Sequence, residues 1–121
     1  MVLITSNKST QLLLITFIGD VTPSQFAEAT KSLPSLLSDL KPGFSLLADL
    51  TPLRSMTEDC ASQITDVMDL CDQSGVKRII RVIPDPSKDI GLGILSRFHY
   101  THKPRMILCE SLAEAANHLR A

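Results

Sequence analysis

Aromatic residues are scarce in this chain: four Phe, one Tyr and no Trp in 121 residues. That scarcity argues against a platform that stacks single-stranded nucleic acid, which needs several exposed rings. Neither sign of charge is in excess, and a net charge of −1 implies no non-specific binding to nucleic acid. No apolar run approaches the roughly 20 residues of a transmembrane helix. No basic region precedes the apolar run after Met1, so no signal peptide is expected. There are three cysteines, Cys60, Cys71 and Cys109, an odd count without metal-ligand spacing. On one helix, Cys60 and Cys71 would share a face about 16 Å apart, too far for a disulfide. Buried free thiols in a reducing cytoplasm are the simplest account. No glycine-rich phosphate loop is present. No Ser/His/Asp or Cys/His set can be argued from type and order, so neither catalytic residues nor a cofactor is expected.

What is present suits one globular domain over 1–121, with 44% hydrophobic and 21% charged residues. The charge is split along the chain. Residues 1–75 carry four basic and nine acidic side chains, and residues 76–121 carry eight basic and four acidic. Two solvated faces that attract each other in the fold are the favoured account, and a polarised surface for a charged partner is the functional alternative.

Val2 to Thr5 and Gln11 to Ile18 read as a hairpin across the polar segment Ser6 to Thr10. Thr22-Pro23-Ser24-Gln25 reads as a capping box with Pro at the first helical position. The helix that follows carries Phe26, Ala29, Leu33, Leu36, Leu37 and Leu40 at helical spacing, and Pro34 should kink or split it. Phe44 to Leu50 is nearly all apolar, as in a strand covered on both faces. A loop, Thr51 to Thr57, precedes a second helix from about Glu58 to Ser74, with Cys60, Ile64, Val67, Met68 and Cys71 as its apolar stripe. Gly75 is placed to cap it. Lys77 to Ile83 is a strand, Ser87 to about His99 a third helix, and Arg105 to Cys109 a last strand. Ser111-Leu112-Ala113-Glu114 opens a final helix as a second capping box. The expected fold class is α/β, a mixed β-sheet of four to five strands with about four helices in the order ββαβαβαβα.

That order and length resemble the STAS domain, the fold of the SpoIIAA-like anti-sigma-factor antagonists. Arg78-Ile79-Ile80-Arg81-Val82-Ile83-Pro84-Asp85-Pro86 is similar to the family strand that leads into a short helix. Cys109-Glu110-Ser111-Leu112-Ala113-Glu114-Ala115 is similar to its closing strand-to-helix junction. The family's functional motif reads Asp-Leu-Ser-Gly, a few residues, then Asp-Ser-Ser/Thr-Gly, whose first Ser is phosphorylated by a partner kinase. Here Asp49-Leu50-Thr51-Pro52 matches the first half. The second half departs from the pattern. An ungapped match sets Thr57 on the acid, Glu58 on the phosphorylated Ser, Asp59 on the next hydroxyl residue and Cys60 on the Gly. Glu58 cannot be phosphorylated, and it carries one charge where a phosphoserine carries roughly two.

The resemblance implies a non-enzymatic, bacterial-type, cytoplasmic regulator. Its partner would be a protein, such as a serine-kinase-like anti-sigma factor or another signalling domain, with a homodimer left open. The expected docking residues are Asp49, Thr51, Ser55, Thr57, Glu58 and Asp59. Plainer roles stand beside these. Glu58 and Asp59 suit a helix's first turn, Ser55 or Thr57 an N-cap, and Asp49 an acceptor for loop amides. Asp66, Asp69 and Asp72 read as a solvated face of the second helix rather than metal ligands.

The alternative is a carrier that holds a hydrophobic ligand or touches membranes. Gly91, Leu92, Gly93, Leu95 and His99 would then be the ligand or membrane contacts. Two glycines in a helix cost roughly 1 kcal/mol each relative to Ala, which suggests close approach by another group. Close helix-to-sheet packing is the favoured account of the pair. His99 and His102 lie three apart without a third ligand nearby in sequence, so no metal is expected. With Tyr100, Lys103 and Arg105 they read as a basic surface corner.

Overall fold

Successive apolar strands build the sheet, and the computed structural model describes residues 1–85 and 99–120. β1 (Val2–Asn7) and β2 (Leu12–Phe17) form the expected antiparallel hairpin. The Asn7 side chain closes its turn by accepting from the amides of Ser9 at 3.0 Å and Thr10 at 3.2 Å. After β3 (Gly19–Val21), Thr22 starts α1 (Pro23–Thr30) with both halves of the capping box formed. Pro34 splits the long apolar pattern rather than kinking it. α1 ends at Thr30 and α2 (Leu33–Ser38) starts afresh, with Pro34 in its first turn, where a missing N–H costs nothing.

β4 (Ser45–Asp49) is buried along its whole length, as its composition requires. The segment expected to be a loop contains β5 (Leu53–Met56). A 3₁₀ turn, Glu58–Cys60, leads into α3 (Ala61–Gln73). Gly75 ends α3 at φ +90°, a conformation L side chains rarely adopt. β6 (Arg78–Val82) and β7 (Arg105–Cys109) follow, then α4 (Leu112–Arg120). Ser111 Oγ accepts from the Glu114 amide at 3.2 Å. The Glu114 carboxylate reaches back one residue further than in a standard capping box, to the Glu110 amide. The helix expected over Ser87 to about His99, with Gly91, Leu92, Gly93 and Leu95, lies outside the described residues apart from His99.

The main sheet is mixed and five-stranded, in the order β1-β2-β4-β6-β7, with every pair after the hairpin parallel. β3 and β5 pair as a separate two-stranded ribbon, which neither element's sequence announces. Residues of alternate parity along β2 and β4 serve two cores. Leu13, Ile15, Phe17, Leu46 and Ala48 pack under α1, α2 and α3 with Phe26, Ile64, Val67, Met68 and Cys71. Leu47, Ile80, Val82 and Cys109 pack on the other face under Ala115 of α4, with Leu12, Leu14 and Leu119 at its margin. Arg78 ties α4 down: its guanidinium donates to Ser45 Oγ at 3.1 Å and to the His118 carbonyl at 2.7 Å. Among the described residues, no helix is long and apolar enough to cross a membrane.

Candidate functional site

β4 delivers its last residue, Asp49, to the end of the sheet where parallel α/β folds place their sites. Asp49 is buried, and its Oδ1 accepts from the Thr51 amide at 2.9 Å. It is thus the acceptor for a loop amide. A turn follows, with the Leu53 amide donating to the Leu50 carbonyl at 3.1 Å, and the chain then enters β5 beside β3. Thr51, Ser55, Thr57, Glu58 and Asp59 are all exposed along this path, while Leu53 and Cys60 turn inward.

The two hydroxyls expected at the N-cap do otherwise. Ser55 Oγ donates to Asp20 Oδ1 at 2.6 Å, and Arg54 grips the same carboxylate, its Nε 3.0 Å from Oδ1 and its Nη2 on Oδ2. The side-chain hydrogen bond and then the charge of Asp20 raise the Arg54 pKa. Ser55 is therefore bonded across the ribbon, in a strand, and is not available to a helix end. Thr57 has the extended backbone of an N-cap, at φ −72° and ψ 152°, and its carbonyl accepts from the Cys60 amide at 3.1 Å, but its side chain makes no cap hydrogen bond. Its Oγ1 lies 3.8 Å from Cys60 Sγ instead. Glu58 and Asp59 occupy the first turn of the 3₁₀ segment.

The second expected site divides. Tyr100 is buried, not part of an exposed aromatic corner. It lines a cavity of about 50 Å³ whose remaining walls are apolar side chains of β2, β4, β6, α1 and α3, together with Arg81. Burial pushes the Tyr100 hydroxyl's pKa far up, with a smaller push from Cys71. His99 faces Asp69, with Nδ1 and Oδ1 2.8 Å apart.

Asp72 departs from the solvated acidic face expected of α3. It is buried, at 6% exposure. It accepts from Thr101 Oγ1 at 2.7 Å and from the His102 amide at 3.1 Å, and His102 Nδ1 lies 3.1 Å away. Burial alone would raise its pKa; the hydrogen bonds from Thr101 and His102 outweigh that and hold it below the usual carboxylate value. The type and order of Asp69, Asp72, His99 and His102 held no signal for these two pairs, because 30 residues separate the partners. Among the described residues, no three His, Cys, Asp or Glu side chains converge as a metal site. Cys60, Cys71 and Cys109 are buried and free.

This geometry has solved counterparts. The structure of the anti-sigma factor antagonist SpoIIAA in its unphosphorylated form is similar over 100% of this chain and 99% of that one, with a TM-score of 0.63 at 14% identity. A DUF3478-family protein from Shewanella loihica PV-4, described as having a SpoIIAA-like fold, is similar over 98% of this chain and 92% of that one, with a TM-score of 0.71 at 18% identity. The chain has the STAS, SpoIIAA-like fold. No protein-family model and no curated protein sequence matches it. At these identities the likeness establishes the fold, while function rests on the site.

Proposed function

We propose that this protein is a non-enzymatic regulatory domain that docks a protein partner through Thr51 to Asp59, with Asp49 shaping that loop from beneath. The partner class implied by the likeness to an anti-sigma factor antagonist is a serine-kinase-like signalling protein. Glu58 supplies a permanent negative charge where the family's phosphorylated serine would stand, so the contact has no phosphoserine switch at that position. The observation that carries this reading is the run of exposed side chains Thr57, Glu58 and Asp59 at the start of a helical segment, beyond the carboxyl end of β4. A fixed carboxylate there is favoured by the backbone amides of the first turn, by about 0.3–1 kcal/mol.

The test is affinity capture from cell extract with identification of the partner. Glu58→Lys should abolish capture of a kinase-like partner without unfolding the domain. A change at exposed Leu112, in the first turn of α4 on the other side of the sheet from α3, Leu112→Ser, should leave it intact. Retention of every specific partner by Glu58→Lys would sink the docking reading.

The cavity under Tyr100 favours a second reading, a carrier of an apolar ligand. Its size limits that reading. About 50 Å³ is a third of the roughly 150 Å³ that holds a benzene in an engineered protein cavity. The carrier reading therefore requires a small apolar group, or walls that part. Native mass spectrometry should then reveal a co-purifying apolar molecule, and its absence from repeated preparations counts against the reading.

A further inference from the structure

We propose that the outer edge of β7 pairs with β7 of a second copy of this chain, antiparallel about Ile107, to form a two-fold dimer with one continuous sheet. β7 ends the main sheet and pairs with β6 on its inner side. The Arg105 amide donates inward to the Lys77 carbonyl at 2.9 Å, and the Cys109 carbonyl accepts from Ile83 at 2.8 Å. Backbone groups alternate along a strand, so the N–H and C=O of Met106 and Leu108 point outward. No hydrogen bond among the described residues occupies them.

The same two residues carry exposed apolar side chains, Met106 at 40% and Leu108 at 64%. They lie on one face of the strand, placed evenly about Ile107. A two-fold axis through Ile107 sets Met106 of each copy opposite Leu108 of the other. In an antiparallel ladder, each such pair exchanges two backbone hydrogen bonds, because both residues aim their N–H and C=O across the seam. Four backbone bonds form, and four exposed apolar side chains cover one another.

Charge fits the same arrangement. Exposed Lys103 and Arg105 stand at the start of β7, and exposed Glu110 and Glu114 follow its end. Antiparallel pairing lays the basic start of each copy along the acidic end of the other, whereas parallel pairing would set like charges together. The opposite edge lacks this symmetry. β1 exposes Leu3, with exposed Met1 just before the strand and Thr5 and Asn7 following on that face, and the charges at its two ends, the N-terminal ammonium and Lys8, are both positive, so antiparallel pairing there would set like charges together.

Sedimentation equilibrium of the full chain over a wide concentration range tests the seam. The expected result is a reversible monomer–dimer equilibrium weakened by salt. Leu108→Asp should raise the dissociation constant by about tenfold or more, since a tenfold change corresponds to only ~1.4 kcal/mol. Leu108→Pro should do the same by removing an outward N–H while leaving the β6 ladder intact. Circular dichroism checks that both variants fold. Lys103→Glu should weaken the dimer, and adding Glu110→Lys should restore it. A chain that stays monomeric up to its solubility limit overturns the proposal. So does a dimer abolished by Leu3→Asp and unaffected by either Leu108 variant.

Discussion

Replacing Asp72 by Asn changes a buried charge and almost nothing of shape. The carboxylate receives Thr101 Oγ1 and the His102 amide, with the His102 ring alongside. Hydrogen bonds to a charged group are each worth about 1.5–3 kcal/mol when lost. Two effects reduce the net figure. Taking a carboxylate out of water already costs the folded state several kcal/mol. Thr101 and His102 are themselves exposed, so their released donors can recover water. The expected net loss is about 1–3 kcal/mol. The unfolding entropy of 121 residues is about 0.25 kcal/mol/K, so the midpoint should fall by about 4–12 °C in thermal denaturation at neutral pH.

The pH dependence supplies a second, independent reading of the same bonds. The Asp72 carboxyl is held below its ordinary value in the fold. Its contribution is therefore complete above the unfolded value near ~3.9 and lost as pH falls through the lower folded value. Asp72→Asn should lose stability at pH 7 and show a shallower decline between about pH 5 and pH 3 than the wild type. Equal midpoints for the two proteins at neutral pH, or parallel acid limbs, would refute the claim that this carboxylate fastens residues 101–102 to α3.

Two further changes test the packing. Gly75→Ala should destabilise by about 1–3 kcal/mol in urea denaturation, because φ is +90° and an added Cβ would stand 2.9 Å from Pro42 Cβ; an unchanged midpoint would mean the helix end is not held there. Burial pushes the Cys71 thiol up to about 12, so Ellman's reagent at pH 8 should label Cys71 only after denaturant is added, and rapid labelling in the native state would contradict the burial. The folded value lies above the unfolded one, so this thiol's contribution is intact below about pH 8.5 and declines as pH rises toward 12.

Local chemistry made most of the sheet readable. Thr22-Pro23-Ser24-Gln25 starts a helix because its bonds lie within four residues, and both formed. The apolar run of β4 suited a doubly covered strand, and it is buried throughout. The ribbon of β3 and β5 was not readable. Gly19–Val21 and Leu53–Met56 are too short for a period-two pattern, and what makes them strands is each other, across more than 30 residues. Asp72 failed for the same kind of reason. Its spacing from Asp66 and Asp69 describes a helix face, but only the fold brings Thr101 and His102 over that face.

The ribbon also changes what the hydroxyls near Glu58 can do. Ser55 is exposed, as a modifiable serine must be, yet its Oγ lies 2.6 Å from Asp20 Oδ1, beside Arg54. A phosphate on that oxygen would bring up to two negative charges against a carboxylate at hydrogen-bond distance. Arg54 would then have to serve both anions or abandon Asp20, and the β3–β5 pairing would bear the strain. Thr57 carries no such constraint: among the described residues, its Oγ1 has only the weak Cys60 thiol as a hydrogen-bond partner. A charge added at Thr57 would sit one residue before Glu58 and add to the acid already there. Of the two hydroxyls, Ser55 is therefore built into the scaffold, and Thr57 is the one whose modification would alter the charge of the proposed docking edge without opposing an existing bond.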